Sequence, residues 1–309
     1  MIFDYENFVN AKIENLSNGL YIVSTPIGNI EDITIRAIKI LRSVDYIICE
    51  HHEVTKKLLR HYGINTELLH YNDDMPTRHL YKIYDIIDRS KKIALVSDAG
   101  TPSISDPGYL IIKYLIDKHN NKSLFSVPGS TSLIAALTLS GFPCNNFYFY
   151  GFLPKSEAKS SSILHKLIDI KSLLIFFESP HRILNTLKLF LKIFGNIQIS
   201  ISKEITKLFE ENIRGNIIDV IEKLEQKEVI KGEYVIILNM IDGAEISEDS
   251  QIDSKSHINQ IIKDGLKNNR TTKDIVQSIV DAKITKISKK ELYRMIVEFE
   301  VNIDELSDN

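Results

Sequence analysis

Three short runs of ionisable residues have the types and spacing that proton transfer and anion binding need. Glu178-Ser179-Pro180-His181-Arg182 sets a carboxylate, an imidazole and a guanidinium close together, directly after the apolar run 172–177. Lys203-Glu204-Ile205-Thr206-Lys207 follows the expected strand 197–202, and Lys231-Gly232-Glu233 leads into the run 233–239. Glu178, His181 and Glu204 are the candidate general bases. Arg182, Lys203 and Lys231 are the candidates for gripping phosphate or for stabilising developing negative charge. Charged residues at strand ends also serve as solvated caps or ion pairs, and that reading stays open here. A fourth run, Glu50-His51-His52-Glu53, carries metal-ligand atoms. Its adjacent histidines project differently and no further histidine stands at a helpful spacing, so no metal site is expected.

A second kind of chemistry is signalled by rigid backbone rather than by charge. Ser97-Asp98-Ala99-Gly100-Thr101-Pro102-Ser103-Ile104-Ser105-Asp106-Pro107-Gly108 packs two glycines and two prolines into one loop after the apolar run Ile93-Ala94-Leu95-Val96. Such residues fix an unusual backbone shape, and a loop at the carboxyl end of a strand is where an open α/β sheet keeps its ligand. Thr25-Pro26-Ile27-Gly28 ends the first β-rich run, and Val127-Pro128-Gly129-Ser130-Thr131-Ser132 makes another strand-to-helix turn. Neither G-x-G-x-x-G nor G-x-x-x-x-G-K-[ST] occurs, so the glycine-rich phosphate cradles are missing. A nucleoside cofactor without phosphates suits these loops better, and S-adenosylmethionine is the common one. The Asp98 loop offers carbonyls for its sulfonium, Ile104 an apolar wall, and the helix start after Gly129 free N–H groups for its carboxylate. Ser130 serves equally well as a plain N-cap.

The elements that must position these residues alternate. Strands at 19–24, 45–49, 66–71, 93–96 and 123–127 are separated by apolar faces at helical spacing, such as Ile33, Ala37, Ile38, Leu41 and Val44. The alternation predicts a largely parallel sheet with helices on both faces. It resumes after residue 150, with Pro180 expected in the first turn of a helix. Read as domains, 1–18 is an N-terminal extension, 19–150 an α/β domain carrying the cofactor loops, and 151–241 a second α/β domain on the substrate side. The stretch 151–154 reads as the hinge, the acidic 242–256 as a linker, 257–300 as a helix-turn-helix-like module, and 301–309 as a tail. Thr271 or Thr272 is placed to cap the middle helix of that module. At 309 residues, 43% hydrophobic, 26% charged and net −3, the chain has an ordinary globular composition with no global basic footprint. Its two cysteines fit a reducing, cytoplasmic setting. No apolar run reaches a membrane span, and the N-terminal residues do not look like a signal peptide.

In this order, the runs 25–29, 97–108, 128–137 with 141–143, 151–154, 178–182, 204–207 and 231–233 resemble the motifs of the tetrapyrrole methylase superfamily. Gly151-Phe152-Leu153-Pro154 and Gly100-Thr101-Pro102 resemble the ribosomal-RNA-modifying members; tetrapyrrole-modifying relatives usually carry G-D-P at the second place. The resemblance implies two α/β domains with a cofactor cleft between them, plus the small helical module. It implies S-adenosylmethionine as methyl donor, the ribose 2′-hydroxyl of a cytidine in the decoding region of 16S rRNA as acceptor, and a homodimer with no membrane partner. By motif, cofactor contacts fall on Pro26, Ile27 and Gly28; on Ser97, Asp98, Ala99, Gly100, Thr101, Pro102 and Ile104; and on Pro128, Gly129, Ser130, Thr131 and Ser132. Lys155, Lys159, Lys166, Lys283, Lys286, Lys289, Lys290 and Arg294 are candidate RNA contacts or simply solvated faces. The family's E-D-T-R is replaced by Glu50-His51-His52-Glu53, which leaves Lys56, Lys57 or Arg60 to stand in for the arginine. Two other readings stay open: a methyltransferase for a tetrapyrrole ring carbon, and a non-catalytic RNA-binding ribosome-assembly factor.

Overall fold

A computed structural model describes residues 11–89, 92–119, 124–241, 258, 261–263, 265–266, 270–281 and 288–296. The first elements are β1 (Gly19–Val23), a 3-10 turn (Ile30–Asp32), α1 (Ile35–Ser43), β2 (Tyr46–Cys49), α2 (His52–His61) and β3 (Glu67–His70). Then come α3 (Thr77–Arg89), β4 (Lys92–Leu95), α4 (Tyr109–His119), β5 (Leu124–Val127) and α5 (Ser132–Ser140). The five strands form one sheet of order β3-β2-β4-β1-β5. β1 runs parallel to β4 and β5, and β2 parallel to β3 and β4.

Period-2 alternation along these strands splits the core into two layers. Tyr21, Val23, Ile47, Cys49, Ala94 and Val96 pack on one face with Ala37, Ile38 and Leu41 of α1 and Leu59 of α2. Leu20, Ile48, Ile93 and Leu95 pack on the other with Ile83 and Ile87 of α3 and Ile111 and Leu115 of α4. β1 connects toward β2 on one side of the sheet and β4 connects toward β5 on the other. Adjacent strands whose connections diverge open a crevice at their carboxyl ends, and the loops after β1 and β4 meet there. α1 begins where Thr34 Oγ1 accepts from Ala37 N at 3.1 Å, a side-chain cap of the usual kind.

The chain continues through β6 (Phe147–Phe152), α6 (Glu157–Leu167), β7 (Leu173–Glu178), α7 (Ile183–Phe194), β8 (Gln198–Lys203), β9 (Glu211–Asn216), α8 (Ile217–Glu225) and β10 (Tyr234–Asn239). A second sheet has the order β6-β7-β10-β8-β9, with β6 parallel to β7. Leu173, Leu174, Ile175 and Phe176 are fully buried, and Phe176 packs on Phe190 of α7. The chain divides into two compact units: Met1–Phe142 with Ile201–Asn212 and Glu233–Val235, and Pro143–Ser200 with Ile213–Gly232 and Ile236–Asn309. Among the described residues no helix is long and apolar enough to cross a membrane.

Three local expectations need correction or completion. Pro180 does not open α7. It sits second in a turn closed by Arg182 N donating to Ser179 O at 3.1 Å, where proline's fixed φ is favoured, and the helix begins at Ile183. Ser130 does not cap α5, because Thr131 is the residue before that helix. Residues 151–152 are the last of β6 rather than free hinge. In the C-terminal module Ile258, Ile262, Ile275, Val276, Ile279, Leu292 and Ile296 share a small apolar core. Thr271 Oγ1 accepts from Asp274 N at 3.2 Å and caps α9 (Thr272–Asp281). Residues 1–10 of the extension, the expected linker 242–256, Lys283, Lys286 and the tail 301–309 lie outside the described residues.

Candidate functional site

The loops after β1, β4 and β5 are stitched into one surface. Thr25 N donates to Gly100 O at 2.8 Å and Gly100 N to Thr25 O at 3.1 Å, a two-bond bridge between loops far apart in sequence. Thr25 Oγ1 donates to Ser97 O at 3.1 Å, and Ser97 Oγ to Gly100 O at 3.1 Å. The hydroxyls of Ser24 and Thr101 share a hydrogen bond of 2.8 Å. Thr101 Oγ1 reaches Ser130 O at 3.4 Å, and Ser130 Oγ donates to Asp32 O at 3.0 Å. The close approach requires glycine at two points. Gly100 has φ +80°, and a Cβ on Gly129 would lie 3.0 Å from Ser24 Cβ. Ser103 and Ser105 hold left-handed φ of 69° and 63°, which an L-residue adopts only when its surroundings enforce it. Pro102 is buried, whereas Ala99 and Ile104 are exposed. No lysine or arginine occurs in the loops 24–29, 97–108 or 128–132. These loops therefore contribute short hydroxyls, backbone groups and two carboxylates, Asp98 and Asp106, a setting for a cationic, phosphate-free ligand.

The acidic part of the surface comes from β2 and β4. His51 Nδ1 lies 2.6 Å from Asp98 Oδ2, and His51 N donates to Asp98 Oδ1 at 3.3 Å. Glu50, His51 and Asp98 each place one donor atom within 4.8 Å of the others. The His51–Asp98 hydrogen bond already occupies two of those three atoms. Glu53, which stands where the resemblance expects arginine, is exposed and paired with Lys56 at 3.2 Å. Burial, together with the charges of Glu50 and Asp98, pushes the Asp106 carboxyl up to about 6. A carboxyl raised above its ordinary 3.8 favours the folded state when protonated, so this contribution is lost as pH climbs through about 6. Asp106→Asn is expected to stabilise the protein by about 1–2 kcal/mol at pH 7.5 after discounting for partial exposure, and by nearly nothing at pH 4. Urea titrations of both proteins at the two pH values check this.

The Lys203–Lys207 run grips the first loop. Glu204 and Thr206 adopt left-handed φ of 49° and 66°. Thr206 Oγ1 donates to Asp32 Oδ2, and Thr206 N donates to Glu210 Oε2 at 2.5 Å. Lys207 Nζ donates to Glu204 Oε1 and Glu233 Oε2, both at 2.9 Å, and its stem lies so close over Gly28 that a Cβ there would sit 2.4 Å from Lys207 Cγ. For Glu204, burial acts upward, but the Lys207 hydrogen bond and the Glu233 N–H outweigh it and hold the carboxyl below its ordinary range. Lys203 Nζ stands 4.0 Å from Glu211.

Glu178 and Arg182 are structurally engaged in the second unit. Glu178 is only 3% exposed. Its Oε1 accepts from Ser179 N at 2.8 Å and its Oε2 from Thr186 Oγ1 at 2.6 Å, with Arg182 Nη2 at 3.5 Å. Arg182 Nη1 and Nη2 donate to Leu153 O and Pro154 O at 3.1 and 3.0 Å. His181 and Lys231 are exposed, as are Lys155, Lys159, Lys166, Lys289, Lys290 and Arg294. The sequence reading missed Ser24, Asp32, Asp106 and the His51–Asp98 pair. Thr206 and Lys207 were visible in a motif, but not their work on the Gly28 loop.

Residues 19–221 match the tetrapyrrole (corrin/porphyrin) methylases family. The chain is 40% identical to ribosomal RNA small subunit methyltransferase I of Rickettsia prowazekii over 91% of its own length and 97% of that protein. It is 47% identical to the protein of that name from Hydrogenobaculum, over 71% of its length and 95% of the relative's. Among solved structures, uroporphyrin-III C-methyl transferase from Thermus thermophilus, complexed with S-adenyl homocysteine, superposes with a TM-score of 0.50 at 16% identity, covering 71% and 96% of the two chains.

Proposed function

The chain belongs to the tetrapyrrole methylase family, in its ribosomal RNA small subunit methyltransferase I branch, and from that membership we propose that it methylates the ribose 2′-hydroxyl of a cytidine in the decoding region of 16S rRNA. The observation that carries the reading is the stitched surface of loops 24–29, 97–108 and 128–132, whose own residues include no lysine or arginine and whose neighbouring Lys207 is paired with Glu204 and Glu233, beside the Asp98 carboxylate. S-adenosylmethionine fits it, because its sulfonium is a cation and it has no phosphate that would need a basic cradle. When bound, it supplies an electrophilic methyl group for in-line transfer to an oxygen nucleophile.

The protein's own residues do the rest. The Thr25–Gly100 bridge and the Gly129 approach hold the three loops in one fixed arrangement, so little ordering remains for binding. A ribose hydroxyl is a weak acid, and its proton must leave as the oxygen attacks. Glu178 is a poor base, since both its oxygens already accept hydrogen bonds. Glu204 is held ionised by Lys207. His181, exposed on the turn that follows β7, is the remaining candidate. The exposed lysines of α6 and the C-terminal module hold phosphate. We place the protein in the cytoplasm, acting as a homodimer.

The test is a map of 2′-O-methylation in small-subunit rRNA from cells with and without the gene. One cytidine of the decoding region is expected to lose its methyl group in the deletion, and purified protein with labelled S-adenosylmethionine is expected to restore it. An unchanged map overturns the reading, and a labelled tetrapyrrole product would replace it.

A further inference from the structure

We propose that His51 is a positioning residue for the methyl-donor loop, holding Asp98 through both carboxylate oxygens; this rests on the cofactor reading above. The residues involved sit at the ends of neighbouring parallel strands, β2 and β4. A carboxylate offers acceptors only, so the imidazole hydrogen must lie on Nδ1 for the 2.6 Å contact to form, and the backbone N–H of the same residue takes the second oxygen. A two-point grip fixes the carboxylate in both position and plane, which a single contact would not. The neighbourhood makes that grip necessary. Glu50 lies within 4.8 Å, and the charges of Glu50 and Asp98 both act on Asp106. Three carboxylates would otherwise repel one another and splay the loop. Lys56 of α2 is engaged with Glu53 at 3.2 Å, whereas His51 contacts Asp98 directly and opposes the repulsion there.

Asp98 lies two residues before Gly100, whose N–H and carbonyl both bond Thr25. A displaced Asp98 therefore strains the bridge between two cofactor loops. His51 acts on ligand affinity through Asp98 and need not touch the ligand or the reacting atoms.

Calorimetric titration of S-adenosylhomocysteine into the full-length wild type, His51→Ala, His51→Asn, Asp98→Ala and the double variant tests the proposal. His51→Ala is expected to bind roughly 3- to 10-fold more weakly, in keeping with one charge-assisted hydrogen bond at a partly exposed site. His51→Asn should recover most of that loss, because its amide N–H falls near the Nδ1 position. The double variant should bind no worse than Asp98→Ala. Wild-type affinity in His51→Ala overturns the role of His51 alone. Equal losses in the alanine and asparagine variants, or additive losses in the double variant, overturn it too. No binding by the wild type overturns the cofactor reading and this inference with it.

Discussion

Replacing Gly108 with alanine is expected to weaken binding of S-adenosylhomocysteine by on the order of 100-fold while leaving the protein folded. Gly108 closes the loop that begins at Ser97, and its carbonyl accepts from Ile112 N at 3.1 Å to start α4. Its φ is +143°, outside the range that side-chain-bearing residues adopt readily. A Cβ there would lie 2.6 Å from Ser103 Oγ and 3.0 Å from Leu95 Cδ2. Strain and overpacking together come to about 2–4 kcal/mol. The two neighbours do not yield equally. Leu95 is 1% exposed in the centre of the first sheet, packed with Ile48 and Ile111. Ser103 stands in the loop, already left-handed, with a buried hydroxyl that has no hydrogen-bond partner among the described residues. The loop therefore moves and the sheet does not. The cost is drawn from the arrangement that positions Asp98, Gly100 and Thr101, and so from ligand affinity. Far-UV circular dichroism should match the wild type, and the rise in Tm on adding S-adenosylhomocysteine should largely vanish. Affinity within threefold of the wild type would refute the mechanism.

What a sequence can and cannot show follows from the range of the contacts. The alternation of Leu20, Tyr21, Ile22 and Val23, and of Ile93, Ala94, Leu95 and Val96, is local, and it correctly predicts parallel strands with helices on both faces. The loops 25–28, 97–108 and 128–132 are legible for the same reason, since glycine and proline declare fixed backbone wherever they stand. The pairings that turn those loops into one surface are not local. Ser24 meets Thr101, His51 meets Asp98, and Thr206 meets Asp32, in each case through topology rather than spacing. Nothing about Ser24 or Asp32 alone marks it. Side-chain type also hides burial, which is why Glu178 and His181 look equivalent in the sequence, although only His181 is exposed. Pro180 shows the same limit: a residue allowed in a helix's first turn is equally allowed second in a β-turn, and the Arg182–Ser179 bond decides between them.

Glu178 offers the sharpest separation between chemistry and architecture. Glu178→Ala is expected to destabilise the protein by about 3–4 kcal/mol, because it strands a buried hydroxyl on Thr186 and the amide of Ser179, and takes away the carboxylate facing Arg182. Arg182 is partly exposed, so the ion pair itself supplies the smaller share. Arg182 also holds the carbonyls of Leu153 and Pro154, so its loosening releases the end of β6. Glu178→Gln keeps the volume and one acceptor, and the Thr186 hydroxyl can rotate to accept from the new amide. That variant should lose only about 1–2 kcal/mol. A general base behaves in the opposite way: the isosteric amide would remove its function entirely while sparing the fold. Turnover of Glu178→Gln on small ribosomal subunits, measured well below its Tm, is therefore decisive. Retention of at least a third of the wild-type rate, with Tm lowered in both variants and more in alanine, assigns Glu178 to holding β7, α7 and the 153–154 carbonyls together. A loss of 100-fold or more with an unchanged Tm would return Glu178 to the list of bases.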